Sequence, residues 1–592
     1  MRHFNQSLFL VFILLSVYSS TARSSNLEYR LTPDLPAQVQ QNITVHLGTL
    51  PTTERQREAF VYAAKADTVS ALQALGYYRA KVNLTIDKSS NPALWQLTIN
   101  VALHQVTQLK QVNIVIKGDA QQDPAFNKLL ENSPLKTGKP LNQGAYETFK
   151  ADLLSLGQTR GYLDGHLLKS TIGIHPSYRE ADITIEYQSG HRFQFGQVNF
   201  NEQFVKKSVL NELIPFQQGD YYNTDTLINF QHQIQLTNYF SQIMVVPDKT
   251  KASQYIIPIN VSLKNKQKHH FDIGVGFATD TKFRLSASWR TPLVNRFGHS
   301  QETQIKYSKT NPTGKFIYTI PLTHPLDDLL QFQVMRENAQ YAQQNSRFFS
   351  VKIGRVRNEH GWVRQHYIRF LQEKWSISST LDNSFNYQAK YYIPGFTWAL
   401  SKHSGSIIDP TGGVSQWYNI EGASSSMGSA LSFFRVNARW KYITMLGVKQ
   451  RFVAKAELGA LFSDHADDTN VTPSLRFYAG GDQSIRGFAY QSIGGERQFT
   501  STNGNIEQVV IGGTRLVTLS FEYQYYLRDK VRLALFTDMG DATFAGRFKL
   551  KHSIGTGIHY ISPVGAIRFN FGYGFGDVQG GWRLHFSVGA EL

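Results

Sequence analysis

From residue 265 onward the chain alternates apolar and polar side chains in short runs, and this period of two constrains the fold more than any other feature of the sequence. Val517, Leu519, Phe521, Tyr523 and Tyr525 fall on one side of a strand; Leu516, Thr518, Ser520, Glu522 and Gln524 fall on the other. Ile567, Phe569, Phe571, Tyr573 and Phe575 alternate in the same way with Ala566, Arg568, Asn570, Gly572 and Gly574. In the last run Trp582, Leu584, Phe586, Val588, Ala590 and Leu592 oppose Arg583, His585, Ser587, Gly589 and Glu591. A soluble β-sandwich would give the same period. Three features favour a closed barrel between lipid and lumen: aromatics crowd the apolar face, an export segment opens the chain, and no run in the mature chain reaches the roughly 20 apolar residues of a membrane helix.

Residues 1–22 are that export segment. Arg2 and His3 precede the apolar stretch 8–17, and Ser20-Thr21-Ala22 supplies small residues for cleavage. The sequence contains no cysteine, so disulfides, thiol chemistry and cysteine-ligated metals are excluded. The basic residues behind the net charge of +17 are scattered. They point to solvated loops, lipid headgroups and acidic partners rather than to nucleic acid. No Gly-x-Ser-x-Gly elbow, P-loop or His-Glu-x-x-His motif occurs, so neither an enzyme nor a cofactor is expected. Asp464, His465, Asp467 and Asp468, like the His269-His270 pair, read as solvated loop residues rather than a cation site.

Between residues 27 and 263 a unit recurs about every 80 residues. In the first copy a helix over 68–75 ends at Gly76, and strands over 80–87 and 95–103 follow. The second has a helix over 146–156, Gly161-Tyr162, and strands over 167–174 and 181–187. In the third, a helix over 226–236 precedes Asn238-Tyr239-Phe240-Ser241 in place of Gly-Tyr, with strands over 243–247 and 255–263. Asn tolerates the left-handed cap almost as Gly does. Strands over 27–31, 109–116 and 193–200 lie upstream of each. The predicted unit is β-α-α-β-β, in domains spanning 23–105, 106–189 and 190–264, with a basic linker over 264–270 and the barrel over 265–592. Short sheets leave edges to which an extended peptide can add, although such units also serve as rigid spacers.

The unit resembles the POTRA domain. The whole mature chain resembles the BamA/TamA superfamily of outer-membrane assembly barrels, on its TamA branch because there are three units. Within residues 463–514, Ile485, Arg486, Gly487 and Phe488 match the family's Val/Ile-Arg-Gly-Phe/Tyr motif on the sixth extracellular loop. Phe536-Thr537-Asp538-Met539-Gly540 is similar to its aromatic-x-Asp-x-Gly strand, and Ser562-Pro563-Val564-Gly565-Ala566-Ile567-Arg568-Phe569 to its penultimate-strand block. Gly274 to Phe277, followed by Asn295-Arg296-Phe297-Gly298-His299, resembles its first hairpin. The family's terminal aromatic is replaced here by Leu592.

The resemblance implies a transmembrane antiparallel β-barrel of about 16 strands preceded by three α+β POTRA domains in the periplasm. It also implies that the loop folds into the lumen, where Arg486 meets acidic residues of the inner wall. Glu522 and Asp538 are the candidates by strand parity, although Phe536 shares the parity of Asp538. Gly572, Gly574, Gly576, Gly580 and Gly581 precede the closing strand and Gly589 lies within it. A last strand carrying Phe586 and Leu592, bent by these glycines, would pair poorly with a first strand near 271–278 and leave a seam that can part. Tight turns are the plainer account of Gly580 and Gly581. The implied function is insertion or secretion of autotransporters and other barrel proteins, with a TamB-like periplasmic partner and outer-membrane lipid. The alternative is a two-partner-type secretion pore.

Overall fold

In the computed structural model, residues 27–592 are described apart from 89–93, 202–203, 281, 378–384, 407, 464–470, 501–505, 545, 547, 564, 577–579 and 590–592. The expected export segment, Asp464, His465, Asp467, Asp468, Val564 and Leu592 therefore lie outside the described residues. Two compact units divide the chain: 1–197 with 218–226 and 249–258, and 198–217 with 227–248 and 259–592.

The first repeat is built from β1 (Leu27–Thr32), α1 (Ala37–Leu47), α2 (Glu54–Ala74), β2 (Lys81–Asp87) and β3 (Trp95–Ala102). Its sheet order is β1-β3-β2, with β1 parallel and β2 antiparallel to the central strand. Helix α2 begins fourteen residues before the expected start at residue 68, because the Thr53 hydroxyl caps it through the Gln56 amide and Ala64, Ala71 and Leu72 continue one buried stripe. The second repeat has β4 (Gln108–Lys117), α3 (Pro124–Glu131), α4 (Gln143–Thr159), β5 (His166–Ile174) and β6 (Glu180–Gln188), in the order β4-β6-β5. Phe126, Phe149, Leu153, Ile183, Ile185 and Tyr187 form its core. The third has β7 (Gln194–Phe200), α5 (Lys207–Asn211), α6 (Thr224–Leu236), β8 (Phe240–Pro247) and β9 (Ile256–Asn265), in the order β7-β9-β8.

The turn that ends the longer helix of each repeat also makes the joint to whatever follows it. Gly76 is left-handed (φ +87°), and its carbonyl accepts from the Thr107 amide of the second repeat at 2.9 Å. A Cβ at Gly76 would lie 2.6 Å from the Leu141 carbonyl oxygen. Gly161 (φ +89°) repeats the arrangement: its carbonyl accepts from Phe193 at 2.9 Å, and a Cβ would meet the Tyr222 carbonyl oxygen at 2.8 Å. In the third copy Asn238 (φ 59°) takes the left-handed position, and the Tyr239 hydroxyl donates to the Gly298 carbonyl at 2.8 Å.

Sixteen antiparallel strands then close a barrel. The first four are short: His270–Ala278, Lys282–Thr291, Ser300–Ser308 and Thr313–Pro321. The next five are longer: Asp328–Tyr341, Gln344–Glu359, Trp362–Ile377, Phe385–Gly405 and Pro410–Ala423. Phe433–Met445, Gln450–Phe462, Arg515–Arg528, Val531–Thr543, Lys551–Ser562, Gly565–Phe575 and Trp582–Gly589 complete it. The alternation of the twelfth strand holds: Thr518, Ser520, Glu522 and Gln524 are buried toward the lumen, whereas Phe521, Tyr523 and Tyr525 are exposed toward lipid.

Two expectations change. The linker shrinks to 266–269, since Lys264 and Asn265 extend β9 and His270 opens the barrel. Asn295-Arg296-Phe297-Gly298-His299 is the turn between the second and third barrel strands, not part of the first hairpin. That turn seats the third repeat: Lys206 donates its amide to the Arg296 carbonyl at 2.9 Å and lays its ammonium 4.1 Å from the Phe297 ring centre.

Candidate functional site

The segment between the eleventh and twelfth strands folds into the lumen, and Arg486 is its anchor. With 4 % of its surface accessible, Arg486 donates its backbone amide and Nε to Asp538 Oδ2, both at 2.9 Å, and Nη2 to Asp538 Oδ1 at 2.8 Å. Nη1 reaches Glu522 Oε2 at 2.5 Å, and Nη2 also reaches the Ser520 hydroxyl at 3.3 Å. One planar cation thus holds two carboxylates and a hydroxyl, a geometry that the single ammonium of lysine cannot match. Ser520 donates onward to Asp538 Oδ1 at 2.7 Å, and Gln524 donates to Glu522. Phe536, which shares the inward parity of Asp538, lies beneath the guanidinium with its ring centre 3.4 Å from Cζ. The cation is bound edge-on by carboxylates and face-on by a ring.

Glycine makes this approach possible from both sides. Gly487 is left-handed (φ +99°), and a Cβ there would lie 2.5 Å from the Gly574 nitrogen. A Cβ on Gly574 would meet the Gly487 carbonyl oxygen at 2.7 Å and the Phe488 ring at 2.7 Å. Gly572 and Gly574 therefore do not bend the closing hairpin. They sit in register within the fifteenth strand as a bare strip on which the loop backbone lies. Ile485 and Phe488, both fully buried, flank the anchor and join Leu475, Phe477, Ile493, Leu371, Tyr391 and Leu516 in one apolar cluster.

A second anchor escaped the sequence reading. Glu373, fully buried on the seventh strand, accepts from Ser346 Oγ at 2.6 Å, from the Ser474 amide at 3.3 Å and from the Ser474 hydroxyl. The available signal was a carboxylate flanked on the inward parity by Leu371 and Trp375. A third contact ties the loop to the first hairpin, where the Asp482 amide donates to Asp280 Oδ2 at 2.8 Å.

The seam lies beside that contact. The first strand pairs with the second through nine residues, but among the described residues it pairs with the sixteenth only through Ala278 and Ser587. Thr279 adds its amide to the Phe586 carbonyl at 3.1 Å, and Phe586 packs against Phe277 at 5.8 Å between ring centres. His585 Nδ1 lies 3.6 Å from Asp280 Oδ1. Among the described residues, 270–277 have no ladder partner on the seam side, and Phe271, Ile273 and Val275 are 73, 80 and 74 % exposed. The expected cause is corrected. The sixteenth strand pairs with the fifteenth without a register shift from Trp582 to Gly589, so no glycine interrupts that ladder. Gly576 (φ +86°), Gly580 and Gly581 belong to the turn before it.

A family model described as the Omp85 superfamily domain matches residues 259–592. The chain belongs to the Omp85 superfamily. Residues 28–103 match a second model, described as POTRA domain TamA domain 1. Together they make this an Omp85 barrel of the outer membrane with periplasmic POTRA domains. The chain is 20 % identical to outer membrane protein assembly factor BamA of Neisseria meningitidis over 84 % of its own length and 68 % of that relative's. It is 23 % identical to BamA of Nitratidesulfovibrio vulgaris over 66 % of its length, and spans half of that protein. BamA from Haemophilus ducreyi lacking POTRA domains 1–3 has the same fold, with a TM-score of 0.69 at 16 % identity over 82 % of this chain and 99 % of that one.

Proposed function

We propose that this Omp85 barrel is an outer-membrane assembly factor of the TamA type, which inserts or secretes autotransporters and other barrel proteins without covalent chemistry. The observation that carries the reading is the open edge of the first strand. Among the described residues the seam has one ladder pair and 270–277 have no partner on that side; such an edge is a template on which an incoming strand can form main-chain hydrogen bonds irrespective of its side chains. The curated relatives named above are called assembly factors, which supports the same reading. The three POTRA sheets offer further edges for a TamB-like periplasmic partner and for unfolded clients.

A secretion pore is favoured less by the apolar cluster around Phe488, which packs the inserted loop against inward-facing residues of the barrel wall such as Leu371, Tyr391 and Leu516. Proteoliposomes containing the purified chain test the choice. Faster folding of an added client barrel, with little steady conductance, is the expected result. Large conductance with unchanged client folding overturns the proposal.

A further inference from the structure

The outward faces of the fifth to eighth barrel strands change character near their extracellular ends. Val334, Val351, Phe370 and Tyr392 form the last wholly apolar row across these strands, each paired with the next. The next two outward rows toward that end carry one basic residue per strand, all exposed: Arg336 and Lys390 in the first, with Phe349 and Gln372 between them, and Arg347 and Lys374 in the second. Arg347 lies directly opposite Lys374 in the ladder. Lys309, exposed in the neighbouring turn, joins Arg347 and Lys374 along a cleft of about 860 Å³ that Asn338 and Gln388 also line.

The periplasmic ends of the same strands are different. There the outward arginines are neutralised: Arg355 by Asp328 at 2.7 Å, Arg357 by the same carboxylate at 3.7 Å, and Arg364 by Glu359 at 2.9 Å. Among the described residues none of Arg336, Arg347, Lys374 and Lys390 has a carboxylate partner. Like charges placed directly opposite in a ladder destabilise it, so this patch carries a cost that a bound anion would remove. It also sits where the apolar belt ends, at the depth of lipid headgroup phosphates.

We propose that this face binds the phosphorylated headgroup of an outer-leaflet glycolipid, with Arg336, Arg347, Lys374 and Lys390 holding the phosphates and the row from Val334 to Tyr392 holding the acyl chains. Arginine contributes a bidentate grip on phosphate and lysine a mobile point charge. The site fastens one side of the barrel to the outer leaflet, away from the seam.

The experiment is native mass spectrometry of the full-length protein in neutral detergent with added diphosphorylated lipid A, dephosphorylated lipid A or inorganic phosphate. Diphosphorylated lipid A is expected to be retained, and its dephosphorylated form lost. Each removal among R336Q, R347Q, K374Q and K390Q should weaken retention about fivefold, whereas R364Q at the periplasmic end should leave it unchanged. Heat-modifiable migration of each variant on a gel establishes that its barrel is folded, and the single variants keep the test readable if the combined one fails to fold. Equal retention of dephosphorylated lipid, displacement by millimolar inorganic phosphate, or full retention by folded variants would each overturn the proposal.

Discussion

Arg486 shows how much a single side chain can hold and how little of that a sequence displays. Its motif and the parity of Glu522 and Asp538 pointed to the ion pair, but Phe536 stood out there only as an aromatic on the wrong side. Its role as a platform depends on the height of the guanidinium above the strand, which no period encodes. The glycines misled for a related reason: absence of a side chain can signal a bend or a close approach, and only the neighbouring backbone decides which. Arg486→Ala leaves two buried carboxylates without their cation, at a cost of about 3–5 kcal/mol. The barrel should still insert, as read by heat-modifiability, while client assembly stops. Arg486→Lys should restore part of the stability but less of the assembly. Normal assembly by the alanine variant would show that the pin is only structural. Gly574→Ala should release the loop by a different route, through overlap with the Gly487 carbonyl, and trypsin cleavage within residues 463–514 should then appear in the folded barrel.

Among the elements, the repeat was the most legible part of the chain, because helix stripes and strand alternation depend on local spacing alone. The joints were not legible, since Gly161 meets Tyr222 across sixty residues of sequence. Gly161→Ala forces a strained left-handed residue against a carbonyl, and distances between spin labels on the second repeat and residues 221–222 should broaden. The second repeat also carries a pH dependence. Asp123 is 5 % accessible. Burial alone would raise its pKa, but hydrogen bonds from Arg160 Nε at 2.7 Å, the Ala125 amide at 3.0 Å and the Tyr162 hydroxyl at 3.1 Å hold it below the usual carboxylate value. A depressed carboxylate stabilises fully above its unfolded pKa, about 4, and its contribution is lost as pH falls through the folded value. Hydrogen-exchange protection of α3 should therefore drop on the acid side, and Asp123→Asn should flatten that drop and cost about 1–2 kcal/mol at neutral pH. The Tyr162 phenol, pushed up to about 12 by burial and by Asp123, acts in the opposite direction. Its contribution is complete below about pH 10 and declines as pH rises through 12.

For the molecule as a whole, a barrel was readable because lipid and lumen impose one period on every strand. The seam was not, because closure depends on how far the first strand runs beside the last. Ala278 and Ser587 face each other at the joint, and the chain has no other cysteine to compete. The pair Ala278→Cys with Ser587→Cys should therefore form a disulfide cleanly and stop client assembly until reduced; undiminished assembly by the oxidised protein would show that the seam need not part. The unequal lengths of the strands bear on the surrounding membrane. Nine or ten residues, rising about 3.3 Å each and tilted some 40°, cover roughly 25 Å, whereas the hydrocarbon core is about 30 Å thick. Lipid beside the first four strands must shorten to match, at a modest cost for each ångström. The bilayer is thereby thinnest along the arc that contains the open edge, so a client strand has the least hydrocarbon to displace where it has the most hydrogen bonds to gain.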